Sequence, residues 1–140
     1  MNLNETLNFA LAGRAIFTVE NQRTGGRHTF RVTAAKPRTD TQATWFVSHL
    51  AGSDNETSYQ YLGFIRAGAY QPSTKKAALD APSQKAARWF FPRLLAQHAL
   101  PNEVEVHHAN RCGRCGRLLT TPESILRGLG PECAEKAMMA

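Results

Sequence analysis

The sequence predicts an α+β fold: an antiparallel sheet of about four to five strands packed by one main helix, followed by a C-terminal zinc knuckle of the treble-clef type. Three observations lead to this prediction. Short segments of alternating character fill the first two-thirds of the chain, one later segment has helical spacing, and cysteines cluster near the end. We expect a sheet-and-helix domain at residues 1–102 and a zinc-binding module packed on it at residues 103–140.

The first two strands are predicted at residues 14–20 and 27–33, which are rich in β-branched and aromatic side chains. Residues 21–26 between them read Asn-Gln-Arg-Thr-Gly-Gly, a composition typical of a turn. Two strands joined by a short turn pair in antiparallel fashion, so the sequence predicts a β-hairpin here.

Alternation along the second strand separates its side chains into two sets. Phe30 and Val32 share one face, which we assign to the core. Arg27 and Arg31 share the other face, which we expect to be solvated. These two arginines are therefore candidates for contacting phosphate groups.

A second hairpin is predicted from residues 44–50 and 59–65. The segment at 51–58 between them is rich in Gly, Ser, Asp and Asn, which favour turns. Residues 68–76 follow, and we expect them to form a loop.

The main helix is predicted at residues 80–98, where apolar side chains recur at helical spacing. Asp80 or Ser83 is expected to cap it, with Pro82 in the first turn, where proline is tolerated. Pro92 lies within the segment and is expected to kink or split the helix, because proline lacks a backbone N–H.

The aromatic run at residues 89–91 of this helix has two interpretations. Its rings could stack on bases, or they could pack against the sheet. Aromatic residues at helical spacing usually face a core, so we favour packing.

A fifth strand is predicted at residues 103–108, which alternate again. Val104, Val106 and His108 are expected on one face, with His107 and the acidic side chains on the other.

Composition and charge limit the functional classes to which the protein can belong. Hydrophobic residues make up 42% of the 140-residue chain, and the net charge is +6, with 12 Arg among 17 basic residues. Arginine suits phosphate recognition, which points to nucleic acid as a partner. The odd cysteine count, the absence of a signal-peptide pattern and the absence of a long apolar stretch favour a cytoplasmic protein without a membrane span. The oligomeric state is not predicted.

The cysteines predict a structural zinc site. Cys112 and Cys115 are three residues apart with Gly116 following, as in a zinc knuckle whose turn brings two thiolates to one ion. Cys133 follows Pro131, so we expect it in the first turn of a helix, where the helix dipole favours the thiolate. A redox role is disfavoured, because no strand–CxxC–helix pattern surrounds the pair.

Tetrahedral zinc requires a fourth ligand. The candidates are His107, His108, His98 or an acidic residue, and we favour His108. It is expected to point to the interior with the valines of its strand, four residues before Cys112. Four protein ligands leave no open position, so the site is predicted to be structural and not catalytic.

Arg111, Arg114 and Arg117 surround the predicted metal. Three thiolates and Zn²⁺ together carry one negative charge, which these arginines would offset. They could equally form a phosphate-facing patch, and both interpretations stay open.

The C-terminal segment resembles the motif of an uncharacterised family of small bacterial, phage and prophage proteins, with the pattern HxxxCxxCGRxLTxPxSIxxGxGPxC. The stretches Thr24-Gly25 and Tyr61-Leu62-Gly63 are also similar to parts of longer members. The resemblance implies zinc and a mobile-element setting but supplies no known activity. The positions that match the motif are His108, Cys112, Cys115, Gly116, Arg117, Leu119, Thr120, Pro122, Ser124, Ile125, Gly128, Gly130, Pro131 and Cys133.

The favoured hypothesis is a small zinc-binding protein of phage or mobile-element type that acts as a nucleic-acid-binding module. Arg27, Arg31 and the knuckle arginines would contact phosphates. Tyr59 and Tyr61 could stack on bases if they lie on an open sheet face, and burial is the alternative.

The sequence leaves two other functional classes open. A phage-encoded inhibitor of a host defence system, such as a CRISPR complex, would bind a host nucleoprotein complex, and this hypothesis rests on the family setting. An enzyme is disfavoured, since no catalytic motif is found. The one activity left open is a nuclease using His28, His49 or His98.

Overall fold

The computed structural model describes residues 2–36, 42–51, 58–75, 81–108, 113–114 and 128–129. These residues form two helices packed on one face of a single antiparallel sheet, which confirms the α+β class. The helices are α1 (Leu3–Ala10) and α2 (Pro82–Leu95). The strands are β1 (Arg14–Asn21), β2 (Arg27–Ala34), β3 (Thr44–Leu50), β4 (Tyr59–Arg66), β5 (Ala69–Pro72) and β6 (Val104–His108).

The sheet has the order β5-β4-β3-β2-β1-β6, and both predicted hairpins are present. The predicted count of four to five strands was wrong, because the described residues contain six. The additional strand is β5, in a segment predicted to be a loop. Ala67 and Gly68 both have positive φ, of 53° and 73°. Such a two-residue turn matches the twist of a hairpin, so it returns the chain along β4.

Helix α1 was not predicted. Asn2 Oδ1 accepts a hydrogen bond of 2.8 Å from the N–H of Glu5, and Asn2 N–H donates to Glu5 Oε1 at 3.2 Å. This reciprocal arrangement is a capping box, and it satisfies two backbone donors at the helix start. The spacing of Asn2 and Glu5 was the sequence signal for this helix.

Helix α2 begins with Pro82 in its first turn, as predicted, but its N-cap is Ala81. Ser83 lies inside the first turn and does not cap it, whereas Asp80 lies outside the described residues. Pro92 was expected to kink or split the helix; it does not split it, because one helix runs through Pro92 to Leu95. The exposed proline ring faces solvent, while Phe91 and Leu94 on the other side are buried. Packing of that buried side holds the helix together despite the missing hydrogen bond.

The core lies between the sheet and the two helices. Phe30 and Val32 are fully buried, which confirms the predicted parity of β2. Phe90 and Phe91 are fully buried as well, so the aromatic run packs against the sheet as predicted. The ring centroids of Phe30 and Phe91 are 5.3 Å apart. Tight contact of this kind fixes helix α2 against the strands.

A β-bulge in β4 changes which side chains share a face. Val47 pairs with Gly63, but its neighbour Ser48 pairs with Tyr61, so Leu62 is an extra residue. In β4, the odd-numbered residues before the bulge face away from the helices, whereas after the bulge the even-numbered residues do. Tyr61 and Phe64 therefore lie on the same face, although they are three residues apart.

Candidate functional site

The face of the sheet opposite the helices carries a group of aromatic rings. Tyr59, Tyr61 and Phe64 of β4 and Phe46 of β3 form this aromatic patch. Phe46 is 45% exposed and Tyr61 is 43% exposed, and their ring centroids lie 6.2 Å apart in an edge-to-face arrangement. Apolar side chains that are exposed next to one another often mark an interaction site, so the patch is a candidate binding surface.

Arginines flank the aromatic patch. The guanidinium carbon of Arg31 lies 4.3 Å from the centroid of Tyr59, and that of Arg66 lies 5.1 Å from the centroid of Phe64. The Nε–H of Arg66 also donates a 2.9 Å hydrogen bond to the hydroxyl of Thr44. Stacking on a ring fixes a guanidinium while leaving donors at its edge for an anion.

The charge on this face is divided between its two sides. Strands β2 to β5 contain three arginines and no Asp or Glu. Acidic side chains instead occupy the β1–β6 side, where Gln22 Nε2 donates to Glu20 at 2.8 Å and to Glu105 at 3.0 Å. The aromatic patch is therefore on the positively charged side, which suits a polyanion.

The tyrosines of the patch stay protonated. Partial burial raises the pKa of both Tyr59 and Tyr61, and for Tyr59 the nearby Arg31 opposes that shift. Neutral phenols add no negative charge that would repel an anion.

The predicted phosphate-contacting arginines have different positions. Arg31 joins the aromatic patch, whereas Arg27 lies 3.2 Å from Glu20 in an ion pair. Arg114 is exposed, and its carbonyl lies near Gly13. Arg111 and Arg117 lie outside the described residues.

Sequence reasoning missed Phe46, Phe64 and Arg66. The alternation of β3 gave a signal for Phe46, since Val47 beside it is apolar and both could not face the core. Phe64 and Arg66 had no such signal, because only the bulge places them on the open face.

A second candidate site lies around the ring of Phe9 at the end of α1. His108 ends β6 opposite Phe17 and is half-buried, with its ring centroid 5.4 Å from that of Phe9. His107 points the other way, with Nε2 3.3 Å from a carboxylate oxygen of Glu105. The predicted alternation of this strand is confirmed by its burial pattern.

Gly113, between the two knuckle cysteines, contacts the same ring of Phe9. A Cβ on Gly113 would lie 2.6 Å from Phe9 Cδ2, and one on Gly128 would overlap that ring. Gly113 N–H donates to Gly128 O at 2.8 Å, and its carbonyl accepts from Arg14 N–H at 2.6 Å. Two separated pieces of the tail thus meet the end of α1 and the start of β1.

The predicted metal site falls mostly outside the part of the chain that the structure describes. Cys112, Cys115 and Cys133 lie outside the described residues. Within the described ranges no three His, Cys, Asp or Glu side chains form a metal-binding group. Metal binding by these residues and His108 stays a prediction.

The three histidines that a nuclease would use lie in two places. His28 and His49 line one cavity with Arg27 and Ser83, near the start of α2. Burial lowers the pKa of both histidines. His98 follows the other end of α2, a distance of about 20 Å for a helix of this length. The three histidines therefore do not form one site.

None of the helices in the described part of the chain is long and apolar enough to cross a membrane.

Comparisons with known proteins give one partial match. A search of curated proteins found no match, and neither did a search of solved structures. Residues 105–137 match a family of unknown function, DUF6011. The matched region begins within β6 and includes the predicted metal ligands, which is consistent with the resemblance of the tail to an uncharacterised family.

Proposed function

We propose that this chain is a small nucleic-acid-binding protein that uses the open face of its sheet. One observation carries the proposal: the aromatic patch lies between Arg31 and Arg66 on strands that contain no acidic residue. Such a surface offers cations for phosphates and ring faces for bases. The net charge of +6 adds a general attraction to polyanions.

Removal of both patch arginines tests this proposal. Arg31→Ala combined with Arg66→Ala is expected to weaken binding to a fluorescent oligonucleotide at least tenfold, and to reduce the slope of affinity against salt. The slope should change because fewer counterions are released when fewer phosphates are neutralised.

The matched control removes two exposed arginines elsewhere. Arg23 lies in the β1–β2 turn and Arg88 lies on α2, so Arg23→Ala with Arg88→Ala changes the net charge equally. This control should bind nearly as well as the wild type. Equal losses in both double variants would mean that only net charge matters, and would contradict a site on the sheet.

We also propose that the tail binds one Zn²⁺ through His108, Cys112, Cys115 and Cys133. The support is that two parts of the predicted site contact the same aromatic ring. His108 and Gly113, which lies between two of the cysteines, both contact Phe9. Ligands that approach one ion from two chain segments require such convergence. The zinc would be structural and would fix the tail against α1 and the sheet.

Metal analysis of the purified chain tests the zinc site. We expect one zinc per wild-type chain and its loss in Cys112→Ser or Cys133→Ser. His108→Ala should lower zinc affinity, whereas His107→Ala is the matched control and should keep the metal, because its ring lies on the opposite face. Retention of zinc in His108→Ala and its loss in His107→Ala would contradict the assignment.

The phage or mobile-element origin and the role as a host-defence inhibitor draw on the tail motif alone and stay predictions.

A further inference from the structure

We infer that the open face binds single-stranded nucleic acid, with bases stacked on Phe46 and Tyr61. This inference rests on the proposed function and names its ligand class. The two rings belong to adjacent strands, are the most exposed large hydrophobic side chains of the described residues, and lie within the aromatic patch.

The spacing of the rings favours an unstacked strand. Their centroids are 6.2 Å apart and their planes meet at 65°. Neighbouring bases in one strand of a duplex are about 3.4 Å apart and parallel. Two such bases could not stack on both rings, whereas a single strand can separate and turn its bases to do so.

The shape of the sheet disfavours a duplex as well. The major groove is about 12 Å wide and admits a helix or a two-stranded ribbon. Six strands spaced about 4.8 Å apart are roughly twice as wide as that groove. Phe46 and Tyr61 lie on β3 and β4, inside the sheet and not at its edge. Against a duplex this face would touch only the phosphate backbone, and its exposed rings would have no partner.

The arginines fit a strand that crosses the patch. Arg31 stacks on Tyr59 at the start of β4, and Arg66 stacks on Phe64 at its end. They therefore lie at opposite ends of the ring pair, where the phosphates on either side of two stacked bases would pass. Arg14 is exposed on the same face, opposite Thr33, and extends the positive charge beyond the patch.

Fluorescence anisotropy with matched oligonucleotides tests the inference. The probes are single-stranded DNA and RNA of about 12 nucleotides, within usual site sizes, and a duplex of the same sequence. We expect the wild type to bind at least one single strand at least tenfold more tightly than the duplex. Phe46→Ala with Tyr61→Ala should remove most of this preference, with at least a tenfold loss on the single strand and little change on the duplex.

The control is a double variant that retains an aromatic ring at both positions. Phe46→Tyr with Tyr61→Phe exchanges the two ring types and should keep the single-strand affinity within about twofold, since every base can stack on either ring. Both residues are exposed, so the fold should survive in both variants, which circular dichroism checks.

The outcomes separate this inference from the proposed function. Duplex binding that depends on Arg31 and Arg66, without preference for a single strand, would overturn the inference and leave the proposed function standing. Single-strand affinity that survives removal of both rings would also overturn it. Binding to none of the probes at low salt would overturn the proposed function itself.

Discussion

The hydroxyl of Tyr70 on edge strand β5 donates a hydrogen bond of 2.7 Å to Oε1 of Gln84 on helix α2. The side-chain amide of Gln84 in turn donates to the carbonyl of Leu62, at 2.9 Å. Gln84 is fully buried, and Leu62 is the extra residue of the β4 bulge. A buried polar chain therefore links the edge strand, the bulge and the helix, and it stabilises the register that places Tyr61 on the open face.

Tyr70→Phe should destabilise the protein by about 1–3 kcal/mol, because Gln84 Oε1 would remain buried without its donor. Burial also raises the pKa of the Tyr70 phenol, so this hydroxyl is a donor throughout the neutral pH range. Urea unfolding measures the change. Tyr61→Phe is the matched control and should cost less than about 0.5 kcal/mol, since its ring is exposed. A Tyr70→Phe variant as stable as the wild type would contradict the importance of this bond.

Gly63→Ala should destabilise the sheet at the bulge by about 1–3 kcal/mol. A Cβ at this position would overlap the carbonyl oxygen of Gln71 and lie 2.9 Å from the Tyr70 hydroxyl. Because β5 would have to move, oligonucleotide binding should weaken together with stability. Gly26→Ala, where the nearest atom is Thr24 Oγ1 at 3.4 Å, is the control and should be almost neutral in urea unfolding.

Pro92→Ala should stabilise the protein, by about 1 kcal/mol or more. Proline within a helix is about 3 kcal/mol less favourable than alanine, and the smaller entropy of the unfolded proline chain offsets part of this cost. Pro92 is exposed, so the change removes little buried surface. Pro82→Ala in the first turn, where proline is tolerated, should bring no such gain. A thermal unfolding midpoint that falls in Pro92→Ala would contradict the expectation.

The free energy of unfolding of the wild type should fall more steeply, as pH is lowered, than that of a variant without His28 and His49. Burial lowers the pKa of both imidazoles in the folded state, and for His49 the charge of His28 lowers it further while a hydrogen bond with Gln60 opposes the shift. The unfolded chain therefore binds protons at higher pH than the folded chain. Their contribution is complete above the ordinary histidine pKa of 6.5 and is lost as pH falls below it.

Urea unfolding between about pH 8 and pH 5.5 measures this dependence. The variant with His28→Asn and His49→Asn should lose less stability over that range than the wild type. His98→Asn is the control, because His98 is exposed at the far end of α2, and its pH profile should match that of the wild type. Identical profiles for all three proteins would contradict the assignment.

Local pattern was sufficient for much of the fold. Alternation in β2 predicted that Phe30 and Val32 are buried, and turn residues predicted both hairpins. These features depend on neighbours in the chain, so the sequence alone determines them. The Asn2–Glu5 capping box belongs to the same class, although the helix that it starts was not predicted.

The binding surface was decided by the tertiary structure. Strict alternation would place Tyr61 and Phe64 on opposite faces, and only the bulge opposite Val47 brings them together. This bulge depends on pairing with another strand and on the hydrogen bond that Gln84, on a helix far along the chain, donates to the carbonyl of Leu62.

In the C-terminal tail too, the sequence determines some features and the tertiary structure determines others. Its sequence determines which side chains are available to a metal, since the spacing of Cys112, Cys115 and Cys133 is a property of the chain alone. The approach of His108 and Gly113 to the ring of Phe9 does not follow from the chain alone, because it requires β6 to pair with β1 and α1 to pack beside them. The periodicity of apolar residues reflects local conformational preference. The register between strands and the approach of distant side chains to one site depend on long-range contacts, which form only when the whole chain folds.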